Sequence, residues 1–206
     1  TAPARRRTQA ERSGKSDRAL ISAAVHLIAD RGYQRTTLSA IGDAAGYSRG
    51  LVTQRFGSKE GLLWAVLDRL LDSWTLRSAG PRVGSRVGVD ALQATVEAYL
   101  HVVETAPDSV RAYHALLREA DGPVPEVRRR IAQVNRDERD GIAGWLRAGQ
   151  AVGTVRHDVD PAAVAVTFLA VIRGTTTQWL LDPSVDIAGG LRHYAASLDH
   201  TLGVQP

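Results

Sequence analysis

Residues 37–59, TLSAIGDAAGYSRGLVTQRFGSK, hold the side chains best suited to recognising a partner. Arg49, Gly50, Thr53 and Gln54 are spaced to lie on the outer side of one short helix. Arg can take guanine bidentately, Gln can take adenine, and Gly lets a nucleic-acid backbone come close. The Thr37 and Ser48 hydroxyls, the Arg55 cation and Lys59 suit phosphate oxygens. Helix starts near Leu38 and Lys59 would aim partial positive charge at the same anions. The chemistry expected here is non-covalent reading of duplex DNA.

Other chemistries lack their residues. There is no His-Glu-x-x-His, Gly-x-Ser-x-Gly or Walker lysine pattern, so no enzyme and no cofactor are expected. The chain has no Cys, which excludes disulfides and thiolate metal sites. His157, Asp158 and Asp160 could ligate a metal, but Asp160 stands before Pro161 and reads as a helix cap, so no metal site is expected. Gly80, Gly84 and Gly88 recur every four residues without a preceding strand, as a connector would.

Charge supports the DNA reading. Residues 1–59 carry eleven Lys/Arg against four Asp/Glu, a net of +7; residues 60–206 carry fifteen against eighteen, a net of −3. A basic head on a mildly acidic body points to a polyanionic partner for the head. The 44% hydrophobic content is enough for a buried core. No run of 18 apolar residues is seen, so no membrane span is expected. No apolar stretch follows Arg5–Arg6–Arg7, so no secretory leader is expected. Lack of Cys fits a reducing cytoplasm, and the 24 Arg against 2 Lys suggest a GC-rich bacterial genome.

The elements that must position these residues are helical nearly throughout. Leu20, Ala24, Leu27 and Ile28 share one face of a first helix, which Ser16 or Asp17 can cap and Gly32 can stop. Residues 5–18 read as an arm fraying into it. Thr37 can cap a helix over 38–45, and Ser48 one over 49–56, with Gly46-Tyr47 as the turn between them. This is a helix-turn-helix pattern, with Ala45 and Gly46 allowing close approach at the corner. Ser58 caps a longer helix to about residue 74. Residues 78–88 are a loop by composition. Helical patterns recur over 89–105, 108–120, 124–149, 161–181 and 186–202, with Pro107, Pro123, Pro125, Pro161 and Pro183 at the breaks. The only β-leaning stretch is 152–159. The fold class expected is all-α, about nine helices: an N-terminal helix-turn-helix domain over 1–59 and a larger helical domain over 60–206.

Residues 16–63 resemble the DNA-binding domain of the tetracycline-repressor (TetR) family. The resemblance rests on Ala23-Ala24, Leu27, Gly32, Thr36-Thr37, Ile41, Ala45-Gly46, Ser48-Arg49-Gly50, Phe56, Ser58-Lys59-Glu60 and Leu62-Leu63 in order and spacing. Residues 153–160, and Gly174 followed by Trp179-Leu180, are similar to that family's run into its last two helices. Three positions depart from the family. Thr53 replaces the usual Tyr, Arg55 replaces His or Tyr, and Ala40 replaces an acidic residue that would complete a capping box, weakening that cap by ~0.5 kcal/mol.

The resemblance implies that residues 60–206 form a ligand-binding and dimerisation domain, and that the chain is a ligand-responsive regulator, by family habit a repressor. It would bind a palindromic operator as a homodimer and be released by a small-molecule effector. The apolar residues of 161–202, including Val164, Phe168, Ile172, Ile187, Leu191 and Leu198, suit either packing against the same helices of a second copy, the reading favoured here, or the chain's own core. Wall candidates for the effector pocket are Trp64, Tyr99, His101, Tyr113, His114, Leu117, Trp145 and Phe168, each also readable as plain core. Residues 135–140, NRDERD, read as a solvated face. The alternative is a small-molecule-binding helical protein whose DNA head has decayed.

Overall fold

The computed structural model describes residues 9–74, 83–120, 122 and 125–204. Residues 78–82 of the expected 78–88 loop and residues 5–8 of the expected arm lie outside them. Nine helices run through the described residues: α1 Gln9–Arg35, α2 Leu38–Ala45, α3 Arg49–Phe56, α4 Lys59–Trp74, α5 Gly88–Thr105, α6 Pro107–Glu119, α7 Pro125–Ala151, α8 Pro161–Leu181 and α9 Ile187–Leu202. The chain is all-α, as its periodicity predicts. The β-leaning stretch supplies one isolated antiparallel bridge, Val155 to Gly203.

The described residues pack as two units, one within Thr1–Leu70 and Asp108–Leu116, the other within Leu71–Pro107 and Leu117–Pro206. In the first, α1 packs on α2 and α2 on α3. Leu20, Ala24, Ile28, Ile41, Val52, Leu63 and Val66 are buried. Helix α1 begins well before Ser16, so Ser16 is no cap; its hydroxyl donates to Ser13 O at 2.8 Å inside the helix. The helix formers at residues 9–12 (Gln, Ala, Glu, Arg) carry the helix upstream. Gly32 breaks the helical backbone as expected, at φ 79°, ψ 165°. The Thr36 hydroxyl then closes this end on Gly32 O at 2.8 Å.

In the second unit α7 packs on α8 and α5, and α9 on α5 and α8. Trp145, Ala94 and Ala98 pack against the buried pair Val83 and Ala91. Gly149 and Gly88 let the end of α7 meet the start of α5: a Cβ on Gly149 would fall 2.6 Å from the Gly88 Cα. Asp160 caps α8 by accepting from Ala162 N at 2.9 Å.

Two sequence readings change here. Helix α8 is long and apolar enough to cross a membrane by length and composition, contrary to the reading that no stretch qualifies. It carries Arg173, which donates to Asn135 and to Glu138 of α7, each at 2.7 Å. That bond also corrects residues 135–140 as a solvated face. The Glu138 side chain is only 13% exposed. Burial lifts its carboxyl above the usual range, against the pull of Arg173.

Candidate nucleic-acid interface

Two short helices cannot hold themselves together, so their ends are fixed by side chains. Thr37 Oγ1 accepts from Ala40 N at 3.2 Å, and Ser48 Oγ accepts from Leu51 N at 3.2 Å. Ser58 Oγ accepts from Gly61 N at 3.0 Å and starts α4. All three caps stand where the sequence places them. With alanine at position 40, no carboxylate returns to the Thr37 end.

The corner is built differently from expectation. Gly46 ends α2 in the left-handed region, at φ 75°, but no atom lies within 4 Å of where its Cβ would be. The tight approach is at Gly42, whose Cβ would fall 2.7 Å from Tyr47 O and 3.2 Å from Ser48 C. The turn folds over the side of α2 one helical turn earlier, and Tyr47 N donates to Gly42 O at 2.8 Å.

Helix α3 has one buried and one exposed face. Val52 is fully buried and faces inward. Arg49, Gly50, Thr53 and Gln54 are exposed. A Cβ at Gly50 would meet only Ser48 Oγ, at 3.7 Å, so internal packing does not require glycine there. Among the described residues Arg49 makes no ion pair. The other two cations are engaged. Arg55 Nε lies 3.4 Å from Asp17 Oδ1 of α1. Lys59 donates to Gln34 O at 3.0 Å and sits 4.4 Å from the Tyr33 ring centroid. Arg35 donates to Arg31 O at 2.8 Å.

The ligand-wall candidates divide between the units. Trp64, Tyr113 and His114 lie in the first, and Tyr99, Leu117, Trp145 and Phe168 in the second. Tyr113 and His114 are buried and touch edge-on, with ring centroids 6.2 Å apart. Trp64 and Leu117 are half-buried. Phe168 is fully buried, with its ring centroid 6.1 Å from that of Tyr194. The Tyr99 hydroxyl lies 2.7 Å from Thr176 Oγ1, and Thr176 donates to Ile172 O at 2.7 Å. Tyr99 is therefore the donor in that pair, and burial pushes its hydroxyl up to about 12. His101 is exposed and lines an open groove of about 660 Å³ along α5, with Asp90, Glu97, Glu104 and Arg192. Asp158 accepts from Arg156 at 3.1 Å, and no cluster of metal-capable side chains forms among the described residues.

Comparison with known proteins agrees with this arrangement. Residues 20–66 match the family described as bacterial regulatory proteins, tetR family. Residues 88–203 match the BetI-type transcriptional repressor C-terminal family. The chain is 30% identical over 195 residues to the regulator TtgR of Pseudomonas putida, covering 92% of this chain and 91% of that one. It is 31% identical over 131 residues to the regulator BetI of Rhizobium meliloti, a match spanning 64% of each. A transcriptional regulator from Saccharomonospora viridis, solved in complex with choline, has the same fold, with a TM-score of 0.80 at 22% identity over 93% of this chain and all of that one. The chain belongs to the TetR family of DNA-binding helix-turn-helix transcriptional regulators, which are not enzymes, and its C-terminal half is of the BetI repressor type.

Proposed function

We propose that this chain is a ligand-released repressor that grips a palindromic operator as a homodimer in the bacterial cytoplasm, on the nucleoid. The observation that carries the reading is the exposed row Arg49, Gly50, Thr53 and Gln54 over a buried Val52. Arg49 and Gln54 read base edges, Thr53 lies within their reach, and Gly50 leaves room for the DNA backbone. Thr37, Ser48, Arg55 and Lys59 hold phosphates. Functionally, residues 1–59 read DNA, and residues 60–206 sense the effector and dimerise.

Dimerisation through residues 161–202 is supported by the outer face of α8. Val166 is 56% exposed and Leu181 82% exposed on a helix of membrane-like hydropathy, an apolar surface suited to a second copy. The effector is a small organic molecule received by the aromatic body, in keeping with the choline complex of the Saccharomonospora relative. The test is selection of bound fragments from genomic DNA, followed by Arg49→Ala and Lys59→Ala on the recovered site. Arg49→Ala should cost ~1–3 kcal/mol and relax one base position, whereas Lys59→Ala should weaken all duplexes alike. Identical behaviour of the two variants on recovered and random DNA would refute the assignment. Light scattering must show a dimer at micromolar concentration.

A further inference from the structure

We propose that Asp17 is a positioning residue for DNA binding, which holds Arg55 by one edge and withholds that cation's charge from non-specific duplex. This rests on the reading of Arg55 as a phosphate contact.

The three cations of the reading segment are treated differently by the fold. Arg49, at the start of α3, is exposed and makes no ion pair among the described residues. Arg55, in the last turn of the same helix, faces a carboxylate of α1. The Arg55 and Asp17 side chains are 31% and 37% exposed, so this contact is neither sealed in the core nor free in water. Asp17 Oδ1 is shielded from solvent and accepts no hydrogen bond among the described residues. At 3.4 Å the Nε contact is one of charge rather than a well-formed hydrogen bond. A guanidinium has five N–H donors in a fixed plane. Engagement at Nε leaves the terminal nitrogens able to meet a phosphate, with the plane of the fork already set.

The carboxylate also changes the arithmetic of binding. Sequence-independent affinity grows with the number of phosphates neutralised, because each releases condensed counterions. An arginine that keeps its aspartate brings little net charge, since Asp17 repels the phosphate that Arg55 attracts. The base-reading Arg49 has no such partner. The loss falls on every duplex alike, and random DNA, held by phosphate contacts alone, reports it directly.

The experiment uses the full chain and a fluorescent random-sequence duplex of about 30 base pairs, with affinity measured by anisotropy across a salt series. Asp17→Asn should steepen the slope of log affinity against log salt by about one per head, and tighten random-duplex binding roughly tenfold per head near 0.1 M salt. Asp17→Glu, which keeps the charge, should restore the wild-type slope. Arg55→Gln added to Asp17→Asn should remove the increment. Circular dichroism checks folding, and Asp17→Ser is a second route to the same comparison. An unchanged slope in both Asp17→Asn and Asp17→Ser overturns the proposal. So does an increment that survives Arg55→Gln, because Asp17 would then act as a bare charge and not through Arg55. If Arg55→Gln alone flattens the slope while Asp17→Asn does nothing, the phosphate contact stands and the role of Asp17 falls. If no variant at position 55 moves the slope, the phosphate contact itself falls.

Discussion

His26 of α1 and Asp108 of α6, 82 residues apart in sequence, meet through Nδ1 and Oδ2 at 2.8 Å. Arg111 adds a second contact to Asp108 at 3.4 Å. The His26 hydrogen bond, ahead of Arg111, holds the Asp108 carboxyl below the usual carboxylate range. A depressed carboxyl stabilises the fold above its unfolded value near ~3.9, and that contribution is lost as pH falls through the folded value. His26→Ala should raise the Asp108 value toward the ordinary one, read by carboxyl NMR titration. The stability change should stay under ~1 kcal/mol, because both side chains are largely exposed. An unmoved titration would show that His26 is not the main cause.

Arg173 and Glu138 form the most enclosed ion pair described, with side chains 26% and 13% exposed. Arg173→Met should destabilise the protein by about 3 kcal/mol by leaving the Glu138 charge buried without its partner. Replacing both residues with Met should recover much of that loss in urea unfolding. Burial raises the Glu138 carboxyl, so the native state keeps this proton longer than the unfolded chain does. Its contribution to stability therefore declines as pH rises from ~4.3 through the raised folded value. Glu138→Gln should flatten that decline, and an unchanged pH dependence would contradict the assignment.

Tyr99, buried and donating to Thr176, should matter most in alkali. Tyr99→Phe should cost ~1 kcal/mol at neutral pH through the lost hydrogen bond. Its hydroxyl is pushed up to about 12, so the wild type should lose stability as pH rises from ~10 through that value, where the unfolded chain gives up the proton first. The Phe variant should lack this loss. Urea midpoints measured at several alkaline pH values decide it.

The two glycines of the reading head should respond in a fixed order. Gly42→Ala drives a Cβ into the Tyr47 carbonyl and should cost ~1–3 kcal/mol. Gly46→Ala carries only the left-handed backbone cost of ~1–2 kcal/mol, and Gly46→Asn less still. Thermal unfolding gives the order, and DNA affinity should fall most for Gly42→Ala because the turn before α3 must shift. Equal midpoints for the Gly42 and Gly46 alanine variants would contradict this account.

The sequence by itself determined the helices, their caps and the exposed row of α3. These are local matters. Thr37, Ser48 and Ser58 each bond to a backbone N–H three residues on, and Arg49, Gly50, Thr53 and Gln54 share a face through helical period alone. Asp160 capping α8 was legible for the same reason. What lies far apart in sequence was not legible. Residues 135–140 look solvated by composition, and only the packing of α7 on α8 turns Asn135 and Glu138 toward Arg173. Periodicity alone puts Tyr99 in the core, but its Thr176 partner is 77 residues away. The close approach sits at Gly42 and not at Gly46, because the path of the turn over α2 is set by how α3 docks. Asp17 reads as a possible cap and becomes the partner of Arg55, since α1 runs on upstream past it and α3 is laid beside it. Local hydrogen bonding is written in neighbouring residues, whereas charge pairing across helices depends on interaxial packing that no short window of sequence contains.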